Sequence, residues 1–162
     1  MEPVKYVDLL NQRYKQQGFP PYQWTINDAA PLTAPSKPLS ECRVSMLTSG
    51  GVAHCSMPEW DAFAKNDFRL DQVDPSATTG DFTVNDSYYD TTDASIDVNC
   101  VFPIDRLREL DEQGVVGSVA DRLWSGFMGR IYSRTKILEE SGPALAQELH
   151  DDEVDLFLLV PA

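Results

Sequence analysis

The stretch that decides the fold is Val154-Asp155-Leu156-Phe157-Leu158-Leu159-Val160, which is followed by Pro161 and Ala162. This nearly continuous apolar run predicts a strand buried on both faces, as in the interior of a parallel sheet. Ligands of open parallel sheets gather just beyond the carboxyl ends of the strands. We therefore expect this strand to lie centrally and to end beside the functional pocket. Because the sequence stops there, we expect that another chain completes the site, that the site lies elsewhere, or that the chemistry has been lost.

The elements that precede this run favour an α/β fold. A strand is predicted over Arg43–Thr48, because the flexible turn Ser49-Gly50-Gly51 follows it. The other predicted elements are a helix over 4–17, long loops over 52–95 with a short strand at Phe82–Val84, and a strand over 96–102. Two further helices are predicted, one from Pro103 to Gly114 and one over 135–150. Gly142-Pro143 should bend or restart the second of these, and Ser141 is its possible cap. This order indicates a three-layer α/β domain with a mostly parallel sheet.

The chain is predicted to form one domain over residues 1–162. Its first 40 residues would form a helix and a Pro-rich arm, and residues 41–162 would form the sheet core. The arm contains Pro20, Pro21, Pro31, Pro35 and Pro38. Its aromatic residues Tyr22 and Trp24 are candidate anchors, because an arm with few regular elements is held down only if such side chains are buried.

Charge and composition limit the possible partners. The chain carries 26 acidic and 13 basic side chains, a net charge of −13, which argues against a nucleic-acid partner. The sequence contains no apolar run near the ~20 residues of a membrane-spanning helix, and the N-terminus does not resemble a signal peptide. Three widely spaced cysteines without a Cys-x-x-Cys pair favour a reducing compartment. We therefore expect a cytoplasmic protein without a membrane partner.

Several blocks of the sequence resemble one family across residues 20–161. The most specific is Asn99-x-Val101-Phe102-Pro103-Ile104-Asp105-Arg106-Leu107. The others are Tyr22-x-Trp24, Arg43-Val-x-Met-Leu-Thr48-Ser49-Gly50-Gly51-Val52, Tyr89-Asp90, Gly114-Val-Val-Gly117-Ser118-x-Ala120, Phe127-Met128-Gly129 and Val154–Pro161. Their order and spacing resemble the selenoprotein B component of the glycine/sarcosine/betaine/D-proline reductase family.

The resemblance implies an oxidoreductase that reduces a C–N bond of a small amino-acid-like substrate. It also implies that a selenocysteine or cysteine follows the Val-Pro strand, in a Sec/Cys-x-x-Cys segment, and attacks a carbon activated by a pyruvoyl group on a partner subunit. In this sequence Ala162 follows Pro161, and Asp86 and Tyr88 stand where family members often carry a histidine pair. None of the three cysteines corresponds to the family nucleophile.

The candidate site residues lie in two segments. Ser49, Gly50 and Gly51 are predicted to bind substrate, a small amino-acid-like or carboxylate molecule, together with Asp97 and Asn99, for which structural bracing is the alternative. Further along the first loop, Cys55 is a candidate nucleophile and His54 its activating base, although neighbours in an extended segment point to opposite sides and both can be ordinary loop residues.

Three functions follow from these residues. The leading hypothesis is a reductase-like oxidoreductase, in which Cys55 or a partner's group supplies the nucleophile. The alternative is a non-catalytic or accessory subunit that assembles with a partner chain, so we expect a homo- or hetero-oligomer. The third is a metal-binding protein that uses His54 and Cys55, with Cys100 as a further possible ligand; Cys100 otherwise packs as a small apolar residue. The sequence identifies no cofactor and assigns no metal.

Overall fold

A computed structural model describes residues 5–21, 28–29, 33–129 and 131–162. The chain divides into two compact units, Met1–Ala34 and Pro35–Ala162. In the first unit, helix α1 (Tyr6–Gln16) lies within the predicted range 4–17 and is followed by Gly18 at φ +78°. The proposed anchors Tyr22 and Trp24, and also Pro31, lie outside the described residues.

The second unit contains seven strands and four α-helical segments among the described residues. In chain order these are β1 (Arg43–Thr48), β2 (Val52–His54), β3 (Leu70–Val73), β4 (Phe82–Val84), α2 (Thr92–Ile96), α3 (Ile104–Glu112), β5 (Ser118–Val119), β6 (Leu123–Gly126), α4 (Arg134–Lys136), α5 (Gly142–Asp151) and β7 (Leu156–Val160). A π-helical turn, Ile137–Ser141, joins α4 to α5. The predicted α/β class is confirmed.

Strand β1 organises the main sheet. It pairs in parallel with β5, β6 and β7, while β3 pairs antiparallel with β6. Val44 is opposite both Val119 of β5 and Leu156 of β7, so these two strands flank β1 on opposite sides. The sheet is therefore mixed and mostly parallel. Strands β2 and β4 form a separate antiparallel pair.

The last strand lies at an edge of the sheet. Residues 156–160 do form a parallel strand beside β1, as predicted. However, β1 is the only described strand that pairs with β7, and Leu158 and Leu159 are 42% and 63% exposed. The prediction of a central strand buried on both faces is therefore wrong. An apolar run shows that a strand requires cover, but it does not show which chain segment supplies that cover.

Side chains of β1 alternate between two hydrophobic clusters. Val44 and Met46 belong to the larger cluster, which also contains Ile104 of α3. Leu47 packs in a second cluster with Leu145 of α5. Because successive strand residues point to opposite faces, the two helices cover different sides of β1.

Two local predictions fail for identifiable reasons. Residues 96–102 are not a strand: α2 ends at Ile96, and Val98–Cys100 forms a 3₁₀ turn in which the Asp97 side chain accepts a hydrogen bond from Asn99 N. Cys100 is exposed there instead of packing as an apolar residue. The final helix is interrupted before Pro143 by the π-helical turn, and the Ser141 side chain does not cap α5.

Gly51 gives a test of the loop that follows β1. Its φ is +67°, and a Cβ added there would lie 2.2 Å from Asn85 O. Gly51→Ala should therefore lower the free energy of unfolding by about 2 kcal/mol or more in urea denaturation. Gly80→Ala is the matched control, because an added Cβ would meet no atom within 4 Å. Equal stability losses in the two variants would contradict this account of the loop.

Candidate functional site

The carboxyl ends of β1 and β7 are joined through Ser49. Its backbone N–H donates to Val160 O at 3.2 Å, and its hydroxyl accepts from Ala162 N at 3.3 Å. Both contacts lie at the edge where parallel sheets present ligand-binding loops. The structure therefore places the predicted residue Ser49 beside the end of the last strand.

The Thr48 hydroxyl connects this edge to the segment before α3. Thr48 is fully buried, and its Oγ1 donates to Val101 O at 2.6 Å while accepting from Gly50 N at 3.1 Å. Gly50 is tightly enclosed, because an added Cβ would lie 3.1 Å from Val101 Cβ and 3.2 Å from Ala162 Cβ. Three blocks that are distant in sequence thus meet at Gly50.

Tyr89 closes the same edge from another loop. Its hydroxyl donates to Gly50 O at 2.8 Å. Burial, then the negative charge of Asp86 and that of a Cys100 thiolate, raise the pKa of Tyr89 to about 12. The phenol therefore remains protonated at neutral pH and keeps its donor role. Sequence reasoning included Tyr89 only through the Tyr-Asp block of the resemblance.

Asp86 is a site residue that sequence reasoning noted only as a departure from the family's histidine pair. Its Oδ1 accepts from Tyr88 N at 2.7 Å. Its Oδ2 is buried and has no hydrogen-bond partner among the described residues. A Cβ added to Gly51 would lie 3.3 Å from Asp86 Cβ, so this carboxylate lies against the glycine loop. A buried carboxylate oxygen without a donor is costly, and its negative charge beside the glycine loop favours a nearby cationic group.

Asp97 and Asn99 form a local brace. Asn99 Nδ2 donates to Asp97 Oδ1 and to Asp105 Oδ2, both at 2.9 Å, while its Oδ1 accepts from Asp105 N at 3.0 Å. Arg108 completes the group through a salt bridge with Asp105. The Asn99 hydrogen bond and then Arg108 hold the pKa of Asp105 below its ordinary value. Both donors of the Asn99 amide are thus engaged within the fold, which matches the bracing alternative; direct substrate contact by Asp97 and Asn99 stays a prediction.

His54 and Cys55 lie at the far end of β2. His54 Nδ1 is 2.7 Å from Ser56 Oγ, and the ring packs edge-on against Phe82. These contacts direct Nδ1 to Ser56 and not to the neighbouring thiol. At a strand rise of about 3.3 Å per residue, Cys55 lies roughly 13 Å from Gly51. Its catalytic pairing with His54 stays a prediction.

The other exposed thiol is nearer to the glycine loop. Cys100 precedes Val101, which contacts Gly50, and its charge contributes to the raised pKa of Tyr89. Cys42, in contrast, is fully buried, and its Sγ lies 3.3 Å from Pro38 O. The three free cysteines therefore occupy different environments, and the sequence pattern did not distinguish Cys100 from a packed core residue.

Two kinds of feature are absent from the part of the chain that the structure describes. No group of three or more His, Cys, Asp or Glu side chains has the arrangement of a metal site. No helix in the same residues has the length and apolar character needed to cross a membrane.

Parallel strands that end at a glycine-rich loop place the molecule among open-sheet α/β proteins. The family model for glycine/sarcosine/betaine reductase selenoprotein B matches residues 3–162. The chain therefore belongs to the glycine/sarcosine/betaine reductase selenoprotein B family. The family predicted from the sequence blocks is confirmed.

Three relatives show the extent of the similarity. The D-proline reductase subunit gamma of Acetoanaerobium sticklandii is 34% identical over 140 residues, which is 86% of this chain and 53% of the relative. The glycine reductase complex component B subunit gamma of Symbiobacterium thermophilum is 28% identical over 163 residues, 96% of this chain and 37% of the relative. The sarcosine reductase complex component B subunit beta of Peptoclostridium acidaminophilum is 28% identical over 120 residues, 71% of this chain and 27% of the relative.

The chain thus spans about half or less of the length of these relatives. No solved structure matches it significantly.

The Asn99 brace predicts a defined pH dependence. Because the pKa of Asp105 is lowered on folding, its ionisation stabilises the protein above about pH 4, and this contribution is lost as the pH falls through the folded-state pKa. Asn99→Ala should lower the free energy of unfolding, measured by urea denaturation, by about 1–3 kcal/mol at neutral pH and by clearly less at about pH 2.5. Asn85→Ala is the control, because it removes only one exposed hydrogen bond, in which Asn85 Nδ2 lies 3.4 Å from Glu59 Oε2. It should lower the free energy of unfolding at neutral pH by less than Asn99→Ala does. A cost for Asn99→Ala that does not change with pH would contradict this coupling.

Proposed function

We propose that this chain is the substrate-binding component of a reductase and holds a small amino-acid-like molecule at the carboxyl edge of its sheet. The observation that carries the proposal is the meeting of Ser49–Gly51, Tyr89, Val101 and Ala162 at that edge. Family membership supports a reductase role, because the relatives are named as subunits of D-proline, glycine and sarcosine reductases.

The groups at this edge suit a zwitterion. The Asp86 carboxylate beside Gly51 would attract the positively charged nitrogen of the substrate electrostatically. The Ser49 hydroxyl, which already accepts from Ala162 N, would donate its proton to the substrate carboxylate. The enclosed glycine loop leaves little room beside its backbone, which favours a small substrate.

Binding can be measured directly. We expect glycine, sarcosine, betaine or D-proline to bind in isothermal titration calorimetry, and Asp86→Asn to weaken that binding about tenfold, because the attraction between the carboxylate and the positive charge of the substrate is lost. Asp90→Asn is the matched control, since the Asp90 carboxylate bonds Thr92 N and Thr92 Oγ1. The proposal fails if none of the four compounds binds at millimolar concentration, or if both variants bind like the unchanged protein.

The origin of the nucleophile is a separate part of the proposal. In a thiol-dependent reduction, a sulfur–carbon bond forms as the C–N bond breaks and the amine leaves with the bonding electron pair. One thiol of a dithiol donor then attacks the sulfur, and the sulfur–carbon bond breaks with its electron pair going to carbon, which takes up a proton. The second thiol of the donor reduces the resulting mixed disulfide, so the donor becomes a disulfide and the nucleophilic thiol is restored. A small substrate at the glycine loop would not reach Cys55, which lies roughly 13 Å along β2. We therefore favour a nucleophile from a partner chain, with Cys55 and His54 as the alternative within this chain.

Ligand protection of the two exposed cysteines tests this choice. We expect a bound amino acid to slow the alkylation of Cys100 by iodoacetate several-fold, because Cys100 lies beside the glycine loop, and to leave the rate at Cys55 unchanged. Mass spectrometry of the alkylated peptides gives both rates in one sample, so that each cysteine is the control for the other. Protection of Cys55 instead would place the substrate at the end of β2, beside the nucleophile predicted from the sequence.

The alternative function is an accessory subunit without catalysis. It is favoured by the contacts of two candidate side chains: His54 Nδ1 is engaged by Ser56, and the Asn99 amide braces Asp105. Such a subunit would assemble with a partner chain and would bind none of the four compounds. The calorimetric titration therefore also separates the two functions.

We infer three further properties of the whole chain. Helix α3 packs in the cluster of Val44, and α5 packs in that of Leu47, which supports a three-layer arrangement around the sheet. We also propose that residues 1–40 form a helix and a Pro-rich arm, within one domain over 1–162. A cytoplasmic, oligomeric protein remains our expectation from the sequence.

A further inference from the structure

The backbone that leaves the glycine loop is held at one buried carbonyl. Val52, which directly follows Gly51, is fully buried. Gly51 O accepts from Asn85 N at 2.9 Å, next to the antiparallel pair of β2 and β4, so the carbonyl of Val52 points away from β4. Val52 O accepts instead from two side chains, Ser125 Oγ and Trp60 Nε1, the latter at 2.8 Å. Both lone pairs of this oxygen are therefore engaged.

The bond from Ser125 returns the loop to the place where it begins. Ser125 is opposite Thr48 in the parallel pair of β1 and β6. The loop Ser49–Gly51 thus starts at Thr48 and ends at a carbonyl that is bound to the strand position beside Thr48. Because β2 and β4 form a sheet separate from the main one, the side-chain bonds to Val52 O connect this end of the loop to the main sheet.

Trp60 reaches the same carbonyl from a segment without regular structure, and Arg69 holds it there. The guanidinium carbon of Arg69 lies 3.8 Å from the centroid of the Trp60 ring. The same guanidinium donates to Pro58 O at 2.6 Å and to Glu59 O at 3.3 Å, the two carbonyls directly before Trp60. Asp71, which is 5% exposed, binds it through both carboxylate oxygens. Arg69 therefore fixes both the indole ring and the backbone that carries it.

We propose that Trp60, held by Arg69, is a positioning residue of the substrate site, because its indole N–H fixes the Val52 carbonyl and with it the backbone of Ser49–Gly51. This role rests on the proposed function, since it takes the glycine loop as the place where the substrate binds. Trp60 is buried and acts through the loop. A loop that is fixed at both ends keeps its groups in place before the ligand arrives, so less ordering is needed on binding.

Two buried tryptophans give a matched test of this role. Trp60 and Trp124 are each 2% exposed, but Trp124 Nε1 has no hydrogen-bond partner among the described residues. Both Trp60→Phe and Trp124→Phe shorten a buried ring, and only Trp60→Phe removes a bond to Val52 O. In isothermal titration calorimetry with glycine, sarcosine, betaine and D-proline, we expect Trp60→Phe to weaken binding about fivefold, as for one lost hydrogen bond. Trp124→Phe should change it by less than about twofold.

Amide hydrogen exchange measures the order of the loop without a ligand. The amides of Gly50 and Asn85 both take part in hydrogen bonds of the loop, so their exchange rates report how often it opens. We expect Trp60→Phe to raise both rates about fivefold and Trp124→Phe to leave them unchanged. A tryptophan that only fills space would give the same result in the two variants.

Two results would overturn the positioning role of Trp60. One is an exchange rate at Gly50 and Asn85 that Trp60→Phe leaves unchanged, and the other is an equal rise in the two tryptophan variants. If the unchanged protein binds none of the four compounds, the proposed function fails, and the exchange rates alone decide whether Trp60 holds the loop.

Circular dichroism checks that each variant is folded. If Trp60→Phe does not fold, Arg69→Lys decides, because lysine keeps a positive charge beside Asp71 but lacks the planar fork that binds the two carbonyls and stacks on the ring. The same rise in exchange is then expected, and its absence would overturn the role of Trp60. Arg106→Lys is the matched control, since Arg106 is 60% exposed and pairs with Glu109 within α3.

Discussion

The rest of the structure depends on β1, which forms parallel hydrogen bonds on both of its sides. Its partners β5 and β6 come from the middle of the chain, and β7 comes from residues 156–160. Five of its six residues are buried, among them the polar residues Ser45 and Thr48. Ser45 Oγ donates to Arg122 O, so even the buried hydroxyls of this strand connect it to distant segments. Pairing of this kind fixes the direction of every neighbouring strand and brings their carboxyl ends to one edge.

The Thr48 hydroxyl shows how this constraint reaches the site. It bonds both Gly50 N and Val101 O, so the glycine loop and the turn before α3 are held by one buried group. The Asn99 brace then connects that turn to the first residues of α3 through Asp105. The site edge is therefore a continuation of the core, and its loops are positioned by satisfied buried hydrogen bonds.

The sequence predicted those elements whose signals are local. The bounds of β1 follow from an apolar segment that ends at Gly50-Gly51, and α3 follows from Pro103 and a stripe of Ile104 and Leu107. It missed β2, β3, β5 and β6, which have two to four residues each and exist through pairing with distant strands. At 96–102 apolar residues alternate with polar ones, but Asp97 offers the backbone a local hydrogen bond that a strand ladder does not. For the candidate site, the sequence predicted the glycine loop at Ser49–Gly51. It could not show that the Asp86 carboxylate oxygen is buried, because that burial depends on a fold that brings residue 86 to Gly51.

The strand β7 connects the sheet to the candidate site. Its inner edge completes the ladder to β1 and ends in the Val160 carbonyl that receives Ser49 N, so it forms one wall of the candidate site. Leu158 and Leu159, which lie in the same strand, are exposed. A strand that pairs on one side only loses order more readily than one that pairs on both. The hydrogen bonds between β7 and β1 therefore hold the backbone that positions Ser49 and Ala162.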